Sequence, residues 1–143
     1  IEFVCSSQAD VIGHNIEIPG KRLFNSLRPQ GDYDRGLFVL SIISEFCEYP
    51  KSGFMLGFGE YIEEIIDTIN DLYSAGVKIL TIGQYLAPSK NHFPVQKYYS
   101  PEEFAEIKKI ASETGFHYVN AGPFVRSSYH AGDIFERRMA FDK

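Results

Sequence analysis

Short apolar runs divide this chain at nearly regular intervals and predict four buried strands. They cover residues 9–16, 52–58, 77–82 and 117–121. Glycine-containing or polar segments follow the runs, and such segments are typical of the turns that end strands. Pro19-Gly20 ends the first strand, and a polar connection through Arg28 then leads towards the next element.

Between the strands, the apolar positions change to helical spacing. The clearest series predicts a helix that ends at Gly76, and its apolar face consists of Ile62, Ile65, Ile66, Ile69 and Leu72. A second helix is predicted from about Tyr33 to Glu48, before Pro50. A third begins at Ser100-Pro-Glu-Glu103, which has the form of a capping box with proline at the first helical position.

Strands that alternate with helices in this way predict repeated βα units and a parallel sheet. The expected fold is α/β, with about four parallel βα units over a single domain of residues 1–143. Since a closed barrel needs eight units, four would form part of a TIM-type barrel or a small open sheet. The hydrophobic content of 44% is sufficient for one core of ordinary size.

Composition excludes several classes of function. The net charge of −5, without a separate Lys/Arg cluster, argues against a nucleic-acid partner. No apolar run reaches the roughly 20 residues that span a bilayer, so no membrane partner is expected. Cys5 and Cys47 are too far apart for a metal-binding pair, and each is expected to be a buried apolar group. Because the chain starts inside an apolar run, a preceding N-terminal part is expected.

The densest chemical signal follows the fourth strand, at residues 122–130. It comprises Arg126, Ser127, Ser128, Tyr129 and His130. Ligands of α/β folds lie at the carboxyl ends of strands, so a polar cluster there indicates a site. The alternative is a solvated helix start, with Ser127 or Ser128 as its cap.

A second signal lies at the end of the second strand, in Gly53-Phe-Met-Leu-Gly-Phe-Gly-Glu60. Glycines in a strand often mark a close approach of a ligand or of backbone. Gly57 and Gly59 would leave backbone groups open to a planar ligand, and Glu60 is favoured at the start of a helix. The alternative is a tight turn between strand and helix.

Three further positions carry polar groups at strand ends. Asn15 and Glu17 alternate along the first predicted strand, so both would face one ligand, although a hydrogen-bonded strand end is the alternative. Arg28 offers a guanidinium for a carboxylate. Gln84 and Tyr85 end the third strand and could place an amide and a ring against a base.

Taken together, these segments resemble one family. Gly122-Pro-Phe-Val-Arg-Ser-Ser-Tyr-His-Ala131 is similar to the C-terminal signature of lipoyl synthase, a radical S-adenosylmethionine enzyme. Residues 51–60 resemble the Gly-x-Ile-x-Gly-x-x-Glu motif of that superfamily, with Met55 at the isoleucine position. The segments at 14–17, 28–35 and 81–104 complete five motifs in the family's order.

The resemblance implies the C-terminal half of a radical S-adenosylmethionine barrel. The residues implied in binding that cofactor are Asn15, Glu17, Arg28, Gly53, Met55, Gly57, Glu60, Gln84 and Tyr85. It further implies that Ser128 ligates an iron of an auxiliary cluster. Arg126, Ser127, Tyr129 and His130 would surround that cluster or the substrate, within a tail at about 122–143.

The implied activity is the insertion of sulfur at C6 and C8 of a protein-bound octanoyl chain. It requires S-adenosylmethionine and two [4Fe-4S] clusters. The cysteine motifs that hold these clusters in the family are absent from this sequence, so catalysis would need an N-terminal half as partner. The other implied partner is an octanoylated lipoyl-carrier protein, in the cytoplasm or, in a eukaryote, the mitochondrial matrix.

Two other readings are open. A stand-alone nucleotide-binding α/β module could use the same strand ends. A barrel enzyme of aldolase type would need a lysine at the carboxyl end of a strand, whereas Lys78 lies at the start of one.

Overall fold

A computed structural model describes residues 10–126, which form four strands and four helices. The strands are β1 (Val11–Gly13), β2 (Tyr49–Leu56), β3 (Ile79–Gln84) and β4 (Tyr118–Ala121). The helices are α1 (Lys21–Leu27), α2 (Tyr33–Phe46), α3 (Ile62–Ser74) and α4 (Pro101–Thr114). No helix within residues 10–126 combines the length and the apolar character that crossing a bilayer requires.

All strand pairs are parallel, and the sheet order is β1-β2-β3-β4. Each strand therefore pairs with its predecessor in the sequence, which is how the wall of a TIM-type barrel is built. The register aligns Gly13 with Lys51, Leu56 with Gln84, and Ile82 with Ala121. The predicted α/β fold of about four parallel βα units is confirmed.

The core lies on the two central strands. All six residues of β3 and seven of the eight of β2 are buried, as expected for parallel strands covered on both faces. Helices α2, α3 and α4 supply the opposing side chains Leu40, Ile69 and Phe104, each at most 1% exposed. This packing fixes β2 and β3, and it thereby fixes the loops at their carboxyl ends.

Several predicted boundaries were wrong. The first strand ends at Gly13, although the amides of His14 and Ile16 still donate to carbonyls of β2. Strand β2 starts at Tyr49 and includes Pro50, which was expected to stop a helix. Strand β3 lies two residues later than predicted. The seven-residue helix α1 was missed, since it lacks a side-chain cap and is too short for a clear period.

The start of α4 agrees with its sequence signal in part. Ser100 Oγ accepts a hydrogen bond from the Glu103 amide at 3.1 Å, and Pro101 is the first helical residue. The Glu103 carboxylate, however, pairs with Lys97 Nζ at 2.9 Å. The carboxylate half of the predicted capping box thus links the helix to the preceding loop.

Candidate functional site

A cavity of about 370 Å³ opens at the carboxyl ends of the first three strands. It is lined by Asn15, Glu17, Gly53, Phe54, Met55, Gly83, Val125 and Arg126. The structure therefore brings together five residues that the sequence singled out: Asn15, Glu17, Gly53, Met55 and Arg126. It adds Gly83, which the sequence analysis did not assign to the site. A glycine next to a strand end can indicate that a ligand or a backbone segment approaches closely, so this residue could have been found from the sequence.

Asn15 and Glu17 reach the cavity from a segment that includes an unusual backbone conformation. The two residues lie beyond the end of β1, and Glu17 has a φ of 72°, in the left-handed region. The amides of Ile16 and Glu17 both donate to the Gly53 carbonyl, and the Met55 amide donates to the Glu17 carbonyl at 2.9 Å. The two side chains share a cavity, and the side chain of Ile16 between them is buried in the core.

The glycines of the cavity wall allow backbone segments to lie close together. A Cβ on Gly53 would overlap with the Thr81 side chain and lie 2.8 Å from the Thr81 carbonyl oxygen. A Cβ on Gly83 would overlap with the Val125 carbonyl oxygen and lie 3.2 Å from Arg126 Nη1. Gly83 is therefore the point at which the segment after β4 crosses over the end of β3.

That crossing segment carries Arg126 into the cavity. It begins with the Gly122 amide donating to the Ile82 carbonyl at 3.1 Å, and a turn follows in which the Val125 amide donates to the Gly122 carbonyl. Arg126 Nη1 then donates to the carbonyl of Val125 at 2.7 Å. The guanidinium stays exposed, so its remaining donors can bind a ligand.

Glu60 lies outside this cavity, although the sequence assigned it to the cofactor. Its carboxylate accepts hydrogen bonds from the amides of Gly57 and Phe58 at 3.1 Å, and from the Tyr99 hydroxyl at 2.7 Å. The side chain is 9% exposed. Burial, and then the hydrogen bond to Glu60, raise the pKa of Tyr99 above its ordinary value. Glu60 thus holds the β2–α3 turn.

Gly57, Gln84 and Tyr85 likewise lie outside the lining of the cavity. Gln84 Nε2 donates to the Lys97 carbonyl at 2.9 Å, and its Oε1 accepts from the Tyr99 amide at 2.9 Å. A Cβ on Gly57 would lie 2.6 Å from that amide nitrogen of Gln84. The Tyr85 hydroxyl donates to the Phe93 carbonyl at 2.6 Å. The Gln84 amide and the Tyr85 hydroxyl thus hold the long loop after β3 in place. Because these groups already form hydrogen bonds within the protein, they are not available to a ligand.

Arg28 lies in a neighbouring cavity of about 360 Å³ between the end of β1 and the helices α1 and α2. Arg35 and His14 also line this cavity, and Asn15 is common to both cavities. Burial, and then the charge of Arg28, lower the pKa of His14. The guanidiniums of Arg28 and Arg35 offer hydrogen-bond donors to an anion in this second cavity, which Asp32 also lines.

The first cavity has the groups that a nucleoside-type cofactor requires. Gly53 and Gly83 line the cavity, with the Thr81 side chain and the Val125 carbonyl packed against them, and a planar base can lie beside this wall. The half-buried Glu17 carboxylate accepts hydrogen bonds, as ribose hydroxyls require, and Asn15 both donates and accepts. Arg126 offers a guanidinium to a carboxylate. These residues fit S-adenosylmethionine.

The described residues do not fit an iron–sulfur cluster. Within residues 10–126, no group of three or more His, Cys, Asp or Glu side chains could hold a metal ion. Cys47 is buried, and its thiol donates to the Asp10 carbonyl at 3.3 Å. Ser127, Ser128, Tyr129 and His130 lie outside the described residues.

Curated relatives match almost the whole chain. The lipoyl synthase of Rubrobacter xylanophilus is 51% identical over 139 residues, which are 95% of this chain and 43% of the relative. The lipoyl synthase of Staphylococcus carnosus is 49% identical over 93% of this chain, and that of Aliivibrio fischeri 46% over 92%. The chain therefore spans less than half the length of these relatives, consistent with the predicted C-terminal half.

The fold has a neighbour among solved structures. A phosphonomutase described as putative, from Burkholderia cenocepacia, superposes with a TM-score of 0.50 over 96% of this chain and 56% of its own. At 16% identity this similarity concerns the fold alone. No model of a protein family matches the sequence.

Proposed function

We propose that the first cavity of this chain, which belongs to the lipoyl synthase family, is part of an S-adenosylmethionine site. The whole enzyme would insert sulfur into a protein-bound octanoyl chain. The single observation that carries the proposal is the convergence of Asn15, Glu17 and Arg126 on one glycine-walled cavity at the carboxyl ends of the strands.

Five residues of the cavity then have a definite task. The Glu17 carboxylate accepts hydrogen bonds from the ribose hydroxyls, while Asn15 orients the sugar or the methionine part. The adenine would lie beside the cavity wall in which Gly53 and Gly83 let the Thr81 side chain and the Val125 carbonyl approach the sheet. Arg126 pairs with the carboxylate of the methionine part. S-Adenosylmethionine, when bound in such an enzyme, supplies hydrogen-atom abstraction from the octanoyl chain.

The first proposed partner is the N-terminal part that the relatives have in addition to the shared span. It would bring the cysteines for both [4Fe-4S] clusters, because residues 10–126 offer no cluster site. Among residues 10–126, β1 and β4 are the outer strands of the sheet, and further strands would pair there. Ser128, in the tail at 122–143, is proposed as the one cluster ligand of this chain.

The second proposed partner is an octanoylated lipoyl-carrier protein. Its octanoyl chain would approach the cavity from the carboxyl ends of the strands, since that is where ligands reach parallel α/β sheets. A stand-alone nucleotide-binding module would use the same cavity. The relatives named above are all lipoyl synthases, and this similarity favours the enzyme.

The Glu17→Gln variant tests the assignment of the cavity. The amide keeps the shape of the side chain but loses the charge that binds hydroxyl donors most strongly, so we expect the Kd for S-adenosylmethionine to rise about tenfold. Isothermal titration of the chain measures the Kd. Glu113→Gln, an exposed change on α4, is the matched control and should bind as the wild type does. Equal affinities for all three proteins would overturn the assignment.

A further inference from the structure

The loop between β3 and α4, residues 85–100, has no regular secondary structure of its own. Loops of this length in compact domains are uncommon and are usually functional. The proposed function uses none of its side chains. Its position is informative, because it starts at the carboxyl end of β3, two residues after Gly83 of the cofactor cavity.

The loop is held in one shape along its whole length. At its far end, the Gln96 amide donates to the Gly57 carbonyl at 2.8 Å, and Gln84 binds the backbone of Lys97. At its start, the Tyr85 ring stacks on Phe58 with centroids 4.2 Å apart. At its tip, Ser89 Oγ lies 2.8 Å from His92 Nδ1. A surface fixed in this way does not have to be ordered when a partner binds, which favours affinity.

The outer side of the loop is apolar to an unusual degree. Leu86 is 51% exposed, Phe93 37% and Tyr98 70%. A groove of about 550 Å³ runs along the loop, and its apolar lining consists of Leu86, Ala87, Pro94, Val95 and Tyr98. Clustered exposed apolar side chains with a polar border are typical of a protein interface.

The charge of the loop points to one kind of partner. Residues 83–101 contain no Asp or Glu, in a chain whose net charge is −5. Lys97 pairs with Glu103, whereas Lys90, which lines the groove, makes no ion pair with any of residues 10–126. A single available lysine beside apolar groups suits a carboxylate of a protein surface better than a nucleic acid, which needs several phosphate contacts.

We propose that this groove docks the carrier protein through an acidic patch of its surface, with Lys90 as the charged contact and Tyr98 as the apolar anchor. The inference rests on the proposed function, because the partner is the protein that bears the octanoyl chain. β3 is an inner strand of the sheet, so strands added at β1 or β4 would leave the groove accessible.

Binding of an octanoylated carrier domain to the chain, followed by fluorescence anisotropy, tests the docking surface. Lys90→Glu should weaken binding about tenfold and Tyr98→Ala by a similar factor. Lys108→Glu makes the same charge change on the exposed face of α4 and should have no effect. A carrier domain whose surface carboxylates are replaced by amides should bind Lys90→Glu and wild type equally.

The docking surface would be overturned by equal weakening in Lys90→Glu and Lys108→Glu, or by displacement of the carrier domain by a single-stranded RNA oligonucleotide. Titration with S-adenosylmethionine separates this inference from the proposed function. A wild-type chain that binds the cofactor, with carrier binding insensitive to Lys90, contradicts the docking surface alone. A chain that fails to bind the cofactor contradicts the proposed function.

Discussion

Replacement of Glu60 by leucine is expected to lower the free energy of unfolding by about 3 kcal/mol. The carboxylate accepts from the amides of Gly57 and Phe58 and from the Tyr99 hydroxyl, and leucine would leave these buried donors without an acceptor. Glu60→Gln keeps one acceptor oxygen, so its loss should be about half as large. Chemical denaturation of the purified variants measures both values.

Glu106→Leu is the matched control for this experiment. Glu106 is exposed on α4, so the same substitution should change the free energy of unfolding by no more than about 0.5 kcal/mol. If Glu60→Leu were as stable as Glu106→Leu, the hydrogen bonds of Glu60 would not hold the turn. A direct role of the carboxylate in binding a ligand would then regain support.

The second large effect is expected at Gly83. A methyl group there overlaps with the Val125 carbonyl oxygen, so Gly83→Ala should move the crossing segment away from the end of β3 and take Arg126 out of the cavity. We expect the Kd for S-adenosylmethionine to rise at least tenfold, because the carboxylate of the cofactor loses its guanidinium partner. Isothermal titration of the variant measures this change.

Gly13→Ala serves as the control for Gly83→Ala. A Cβ on Gly13 would lie 3.6 Å from the Lys51 carbonyl oxygen, which is an ordinary contact distance. This variant should bind the cofactor as the wild type does. Wild-type affinity in Gly83→Ala as well would mean that the segment carrying Arg126 takes no part in the site.

The sequence was sufficient to predict the architecture because the relevant signals are local. Apolar runs of strand length and an apolar face of helical period occur in the right order, and the parallel sheet follows from their alternation. The residues at which the strands begin and end were harder to predict from the sequence. They depend on hydrogen bonds such as the one from the Lys78 amide to the Pro50 carbonyl, which joins residues that are distant in the sequence.

The candidate site was predictable only in part. The sequence placed Asn15 and Glu17 together, and both line the cavity, but the left-handed conformation of Glu17 could not be predicted from the residue type. Glu60 and Gln84 lie near strand ends and have side chains that could bind a cofactor. Their hydrogen bonds to Tyr99 and Lys97, which are 39 and 13 residues away in the sequence, could not be predicted from the local sequence. A residue type indicates what a group can bind, whereas its existing partners decide whether it is available.

Formation of 5′-deoxyadenosine tests the central claim most directly. The chain would be mixed with the separately expressed N-terminal part of the Rubrobacter xylanophilus relative, reconstituted with iron and sulfide, and supplied with S-adenosylmethionine, dithionite and an octanoylated carrier domain. We predict that 5′-deoxyadenosine forms in the mixture and in neither half alone, and that Glu17→Gln reduces its yield. The contradicting result has two parts: the mixture forms no more 5′-deoxyadenosine than the N-terminal part alone, and S-adenosylmethionine still binds to this chain. The cavity would then belong to a nucleotide-binding module and not to a lipoyl synthase.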